Sequence, residues 1–541
     1  NRNLTVEDLD TRLAKLPSPK NLPNIEEAVD KLLFARKHNK TVILYGDYDV
    51  DGVTSTYIMK DFLESNGFSV KTFIPKRTDG YGLSETALDL LSQTSDIVMT
   101  LDNGTNAINE IKHGEIQHGM NFIVLDHHRV NDLNVLSDVK ATIVNPYIEQ
   151  DNPLHGLCTA SLSFYMTRFL REKINTKFNT KKYLDAVAIA TIADVMPIHY
   201  INRALAKQGI SLINEISQLP IPLYEEQKFY EELNLNVVGL KALLQVLDLD
   251  QRLGTPITFH DIGMKIVPLI NAAGRMETAE IALNLLSSKT YEEALPIARR
   301  MKEINDYRKY MTEQIYQEAL EQALASDDEF IVIGNPNWHH GILGLVSLKL
   351  AMRLKKPVAV FHIGDKYAVG SIRTTGDINV YDLIASASYL VEKWGGHQQA
   401  LGLRIKTENL DLLRAKLNES LQREYTIEPQ PVEVDLQLPL SNVHMYKDIR
   451  PEILDIINTL APFGPLNPEP VFLSDICTIL DVQYRNNVAL IYALENNSKI
   501  RVACFNREIY EHPYIQRGNH VQFVYSVNNN GSTILDVIAQ N

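Results

Sequence analysis

Asp47, Asp49 and Asp51 stand at alternate positions in the run Leu44-Tyr-Gly-Asp-Tyr-Asp-Val-Asp-Gly52. Three carboxylates so close repel one another, and a divalent cation among them offsets that cost. Asp-x-Asp-x-Asp-Gly also opens a calcium loop, which needs a bidentate Glu at loop position twelve and a helix in front. Counted from Asp47, that position is Ile58. The segment in front, Thr41-Val-Ile-Leu-Tyr45, is apolar and β-branched, so it reads as a buried strand. Gly52 to Asn66 reads as a helix. The acids therefore belong on a strand-to-helix turn, the edge of an open α/β sheet where ligands bind.

The pattern repeats. Asp96-Ile-Val-Met-Thr-Leu101 delivers Asp102-Asn-Gly104, and Asn121-Phe-Ile-Val-Leu125 delivers Asp126-His-His128. The apolar helical run Leu184 to Ala193 ends in Asp194-Val-Met-Pro197. Four apolar elements each present Asp or His at a C-terminal end. Carboxylates mixed with imidazoles suit Mn²⁺ or Mg²⁺. Several bridging acids suggest two ions, the arrangement that clamps attacking and leaving oxygens at phosphorus.

In this order the motifs resemble the DHH phosphoesterase superfamily, and within it the RecJ group of single-strand DNA exonucleases. The resemblance continues in Leu269-Ile-Asn-Ala-Ala-Gly-Arg275, Trp338-His-His-Gly341, Gly370-Ser-Ile-Arg373, Gly395-Gly-His-Gln-Gln-Ala-Leu-Gly402 and Pro462-Phe-Gly-Pro-Leu-Asn-Pro468. It implies an α/β protein: a parallel-sheet DHH lobe and a DHH-associated lobe joined by a long helix, then a five-stranded oligonucleotide-binding barrel. It also implies a metal-dependent 5′→3′ exonuclease that releases mononucleotides from single-stranded DNA in repair and recombination. The alternatives are a small-substrate phosphodiesterase acting on short RNA oligomers or cyclic dinucleotides, and an inactive replication scaffold. A barrel that feeds a strand argues against the first. Retention of Asp49, Asp51, Asp102, His127 and Asp194 argues against the second.

Under that reading Asp49, Asp51, Asp102 and Asp194 hold the metals, with His127 the stronger imidazole ligand. Asp47 ligates or orients its neighbours, and Asp126 fixes the turn or orients an imidazole. His128 ligates, donates to a phosphate oxygen, assists the leaving group, or stands behind the ligands. By resemblance, Arg275, Ser371 and Arg373 contact phosphate and anchor the 5′ end. His397 faces the cleft. Trp338 and His339 stack a base or wedge the strand, the alternative for Trp338 being a place in the core. Arg77 contacts the backbone or is a solvated loop charge, and Lys76 is a further candidate for a basic groove. Two departures stand out. Tyr45 occupies a position where DHH hydrolases often carry His, and Ala461 and Leu466 replace the Glu and Gly often seen at the approach to the barrel.

Bulk properties bound the rest. A chain of 541 residues with 45% hydrophobic content fills several cores. The expected division is a helical lead-in over 1–40, the DHH domain over 41–216, a helical region and connecting helix over 217–325, the DHH-associated domain over 326–426 and the barrel over 427–541. The connecting helix is expected over Tyr291 to Ala325. Five barrel strands are expected, beginning at Val471, Thr478, Val488, Ile500 and Val521. No apolar run is long enough for a membrane span. Three scattered cysteines fit a reducing cytoplasm. The net charge of −14 argues against general coating of nucleic acid, although bound cations offset part of it. The expected partners are single-stranded DNA, a single-strand binding protein and a helicase, for a monomeric chain.

Overall fold

The computed structural model describes residues 9–77, 80, 82–93, 96–220, 237–250, 256–376, 378–421, 433–445, 448–485, 488–528 and 531–539. The expected starts of the lead-in and of the barrel domain, and part of the helical region, lie outside these residues.

Five parallel strands form the first sheet: β1 (Thr41–Gly46), β2 (Ser69–Phe73), β3 (Ile97–Leu101), β4 (Asn121–Leu125) and β5 (Thr142–Val144), in the order β2-β1-β3-β4-β5. The central strands are apolar along their whole length because both faces are covered. Val42 and Leu44 point into one core with helices Ile25–Lys37, Val50–Ser65, Thr159–Lys173 and Leu184–Ala193. Ile43 and Tyr45 point into the other, under helices Glu85–Leu91 and Ile108–His118.

A helical layer follows. Its last helix, Tyr291–Leu324, carries Pro296 in its early turns and is about 50 Å long at 1.5 Å per residue. Ala294, Ala298 and Met301 belong to the core of the first lobe, and Ile315, Ala319 and Ala323 to the core of the second. One rod thus shares residues with both cores, which fixes the lobes to a common element.

The second lobe contains β6 (Ile331–Asn335), β7 (Val358–Ile363), β8 (Tyr367–Arg373), β9 (Val391–His397) and β10 (Ala400–Lys406), in the order β6-β7-β8-β10-β9. Only β6 and β7 are parallel. The C-terminal barrel closes through Cys477–Arg485, Val488–Glu495, Ser498–Cys504, Gly531–Ala539 and His520–Asn528, the last pairing back to the first. One expected strand is thereby corrected. Val471–Leu473 lies outside the ring, between Leu436–Gln437 and His520–Asn528, and Gly531–Ala539 takes the fifth place in the ring.

The barrel is held to the first lobe at the Pro462–Pro468 segment. The buried Arg203 guanidinium donates to the carbonyls of Leu460 (2.6 Å), Thr459 (2.9 Å) and Ala461 (3.0 Å) at the end of helix Pro451–Leu460. A cation at a helix C-terminus satisfies carbonyls that have no helical partner. The Ile198 amide donates to the Pro465 carbonyl at 2.7 Å.

Candidate active site

The strand order reverses between β1 and β3, so their chains leave in opposite directions and open a crevice at the C-terminal edge. The acids lie there. The Asp49 carboxylate caps helix Val50–Ser65, accepting from the Gly52 amide at 3.1 Å. Gly52 is required because a Cβ would stand 2.5 Å from the Asp47 carbonyl oxygen. Asp51 turns toward the start of helix Thr159–Lys173, where its two oxygens accept from the Thr159 amide (2.6 Å) and the Ala160 amide (2.8 Å). The Thr159 hydroxyl donates to Asp102 Oδ1 at 3.2 Å. A helix N-terminus thus supports two of the acids.

Asp126 has a different task. Its Oδ1 accepts from the amides of His127 and His128 and meets His128 Nδ1 at 2.7 Å, while Oδ2 accepts from the Thr105 amide. It holds the turn and the His128 ring. His127 Nε2 lies 3.3 Å from Asp102 Oδ1, 3.4 Å from Asp194 Oδ2 and 3.9 Å from Asp51 Oδ2. Ligand atoms of Asp51, His127 and Asp194 lie within 4.8 Å of one another, as do those of Asp102, His127 and His128, and those of Asp47, Asp49 and Asp102. The sequence-predicted ligands from four separate segments meet in one crevice.

Electrostatics says what the crevice can hold. Burial, then the neighbouring carboxylates, pushes Asp102 and Asp47 well above the usual carboxylate range. Burial and Asp51 push Asp194 up to about 8. Asp51 is raised by burial in the same way, against the pull of His127. Burial works against the Asp126 carboxylate too, but the His128 charge and hydrogen bond hold it below the ordinary range. Burial opposes the His128 cation, yet Asp126 carries it up to about 9. Burial lowers His127, favouring the neutral imidazole that binds metals. Asp47 Oδ1 and Asp194 Oδ2 are buried without a hydrogen-bond partner. Crowded carboxylates, orphaned oxygens and a neutral imidazole fit divalent cations of the oxygen-preferring kind. Backbone strain gathers at the same place: Asp102 has φ of 67° and Val195, beside Asp194, has φ of 54°.

Tyr48 joins this crevice to a basic pocket. A Cβ on Gly274 would stand 2.4 Å from the Tyr48 carbonyl oxygen, so the arginine motif is pressed against the acid motif. Arg77 lies over the Tyr48 ring at 4.1 Å. Its Nε is buried without a hydrogen-bond partner. Arg275 is lowered to about 9 by burial, then by Arg77, Arg308 and Arg373. Burial, then Arg77, also lowers Arg373. These guanidiniums crowd as the carboxylates do, with the opposite sign. Arg373 Nη1 donates to Ser371 Oγ at 2.9 Å, and both side chains face Gly344 at the start of helix Leu343–Leu354.

Register places His397 with them. Ala400 pairs with Arg373 and with His397, and Gly402 pairs with Ser371 and with Gly395. Paired residues share a face, so Arg373, Ser371 and His397 look out from one side of the sheet across a floor without side chains at Gly402 and Gly395.

Trp338 requires a correction. It is 1% exposed in the core of the second lobe, and its indole donates to Glu318 at 2.8 Å, so it cannot stack a base. His339 stays at the surface, stacked on His340 at 4.9 Å, beside a cavity of about 170 Å³ lined by Met276, Glu277, Arg300 and Tyr307. The turn it begins is packed on the arginine motif, since a Cβ on Gly341 would stand 2.1 Å from the Arg275 carbonyl. Lys76 is exposed. Tyr45 is fully buried and its hydroxyl donates to the Gly82 carbonyl at 3.1 Å, so its side chain serves the core. Sequence reasoning missed Arg308, one charge among many in the connecting helix, for which no motif gives a signal. It also missed Thr159 and Ala160, although Cys158-Thr-Ala before a long apolar run marks a helix start.

The DHH family N-terminal domain is matched over residues 41–191, the DHHA1 domain over 327–423 and the RecJ OB domain over 435–532. The chain carries the DHH, DHHA1 and RecJ OB domains in that order. It is 30% identical over 483 residues to the single-stranded-DNA-specific exonuclease RecJ of Bacillus subtilis (strain 168), covering 88% of this chain. It spans 57% of that relative's length. With RecJ of Escherichia coli (strain K12) it shares 28% identity, over 83% of this chain and 78% of the relative. The crystal structure of Thermus thermophilus RecJ in complex with Mn²⁺ superposes with a TM-score of 0.79 at 24% identity, covering 99% of this chain and 74% of the other. A second structure, exonuclease RecJ bound to manganese, gives 0.62 at 27% identity, over 76% of this chain and 97% of the other.

Proposed function

We propose that the protein is a metal-dependent 5′→3′ exonuclease that hydrolyses single-stranded DNA to 5′-mononucleotides. The observation that carries this reading is the pairing of a carboxylate crevice with an arginine pocket through Tyr48. A phosphodiester chain needs both: cations where the bond breaks, and fixed positive charge where a phosphate is held. The relatives named above are single-stranded-DNA-specific exonucleases, which supports the substrate class.

Asp47, Asp49, Asp51, Asp102, His127 and Asp194 are proposed to hold two Mn²⁺ or Mg²⁺ ions. Such ions, when bound, lower the pKa of water and polarise the phosphoryl oxygens. The chain's own groups do the rest. Asp126 holds His128 by its Nδ1, which leaves Nε2 to donate to a phosphate oxygen or to the departing 3′ oxygen. Ser371 and Arg373 hold the 5′ phosphate, Arg77 and Arg275 hold the backbone between that phosphate and the crevice, and His397 and His339 border the path. Fixing the terminal phosphate at a set distance from the crevice gives 5′→3′ polarity. The barrel delivers the strand, aided by base stacking. We assign the domains as 41–216, 217–325, 326–426 and 427–541, with a lead-in before them. A cytoplasmic monomer in repair and recombination, working beside a single-strand binding protein and a helicase, completes the reading. No described helix is long and apolar enough to cross a membrane.

The test is degradation of end-labelled single-stranded DNA with Mn²⁺ or Mg²⁺, beside duplex DNA and a dinucleotide. Stepwise loss from the 5′ end, absent in Asp102→Ala, is expected. Cleavage of the dinucleotide alone would sink the reading in favour of a small-substrate phosphodiesterase.

A further inference from the structure

A second group of residues of metal-ligating type lies on the helices that cover the other face of the first sheet. Asp89 is on helix Glu85–Leu91, and His113 and His118 are on helix Ile108–His118. His113 Nε2 lies 2.8 Å and His118 Nε2 2.7 Å from the same oxygen, Asp89 Oδ1. The rings are 5.5 Å apart and the imidazoles are 23% and 24% exposed. Glu85 Oε2 stands 4.0 Å from the far nitrogen of His113. The helix bearing the histidines leaves the crevice edge after β3 and runs back to the start of β4. His118 is therefore at the opposite edge of the sheet, and none of these residues serves the candidate active site.

We propose that Asp89, His113 and His118 form a site for a borderline divalent ion such as Zn²⁺. Two imidazole nitrogens from one helix converge on one carboxylate oxygen from another, which gathers three ligand atoms within 4.8 Å of one another. A metal takes the place of the two shared protons and uses the same three atoms, with water or Glu85 as the fourth ligand. Otherwise the Glu85 carboxylate orients His113 through Nδ1. The inner residues Leu88, Leu91 and Ile111 already bury the seam between these helices. An ion above that seam would staple them. Helix Glu85–Leu91 follows the segment that carries Arg77 and the Gly82 carbonyl bound by Tyr45, so the staple would steady one wall of the arginine pocket from outside.

The inference stands apart from the proposed nuclease activity. The full chain is dialysed against Zn²⁺ with Mg²⁺ in excess, and bound zinc is counted for wild type, His118→Gln, Asp89→Asn and Asp102→Asn. The expected result is a bound ion that survives Asp102→Asn and is held about 10-fold or more weaker in His118→Gln and Asp89→Asn. Zinc lost only with Asp102→Asn would place it in the carboxylate crevice and overturn the inference. The unmutated chain gives a second reading. Co²⁺ should show strong tetrahedral d–d bands that Zn²⁺ removes and Mg²⁺ does not, and weak octahedral bands alone would refute the site.

Discussion

The two walls of the cleft are opposite in charge and different in construction. The acidic wall is built from the ends of elements: β1, β3, β4 and helix Leu184–Ala193 each stop where a ligand is needed. The basic wall is assembled by register and by contact between elements. Ser371 and Arg373 lie on β8 between two antiparallel neighbours, Arg275 in the last turn of a helix, and Arg308 in the middle of the connecting rod. A parallel sheet gathers strand ends from distant sequence at one edge. An antiparallel sheet gathers residues by register, across a face. The first device suits a compact cage and the second an extended track.

The largest effect should come from the acidic wall. Asp102→Ala is expected to lower turnover by roughly 10³-fold or more, because the carboxylates act as a unit; steady-state hydrolysis at saturating Mn²⁺ checks it. A modest loss would break the comparison, since a cage should not tolerate a missing member.

Arg373→Ala should act on the track. The expected cost is about 10- to 100-fold, the worth of charge-assisted hydrogen bonds, and it should fall on KM more than on kcat. Removing the 5′ phosphate from the substrate should cost wild type the same amount and the variant almost nothing. Additive losses would show that Arg373 holds something else. Asp126→Ala should cost ~10–100-fold by releasing the His128 ring. Asp126→Asn should cost less, because it keeps an oxygen for the Thr105 or His127 amide.

Asp185 sharpens the acidic side by contrast. It lies near the start of helix Leu184–Ala193, where burial pushes its carboxyl up to about 7. Folding raises this pKa, so its contribution is intact below 3.8 and is lost as pH climbs toward about 7. Asp185→Asn should therefore gain stability relative to wild type, by up to about 3 kcal/mol more at about pH 8 than at about pH 5. Urea unfolding at both pH values, with and without Mn²⁺, tests this. The gain should not depend on metal, unlike effects at the crevice acids.

The smallest effect is at the junction with the barrel. Leu466 sits at φ 60° and is 72% exposed. Leu466→Gly should stabilise by about 0.5–1 kcal/mol, because only glycine takes that conformation without Cβ strain. Thermal unfolding that moves down instead would mean the leucine side chain makes a contact of its own.

The acids, histidines and strand starts were legible because each motif is local: an apolar run of one period ends in a ligand. Three strands of the parallel sheet and the alternation behind both lobes followed from the same periodicity, whereas the short strands Ser69–Phe73 and Thr142–Val144 did not. Trp338 was not legible, since an aromatic beside His-His-Gly has the same spacing whether it faces a base or Glu318. The fifth barrel strand was misread because the apolar Val471–Leu473 reads more readily as a strand than Gly531–Ala539, which carries Gly, Ser, Thr and Asp, and only pairing partners show which one closes the ring. Sequence by itself determined which candidate residues stand together and which elements end in them. Tertiary structure decided what no local pattern encodes: that Gly274 presses on Tyr48, that Arg308 stands near enough to Arg275 to lower it, and that Arg203 caps a helix far along the chain. Each depends on contacts between segments far apart in the chain, and those are set by packing, not by spacing.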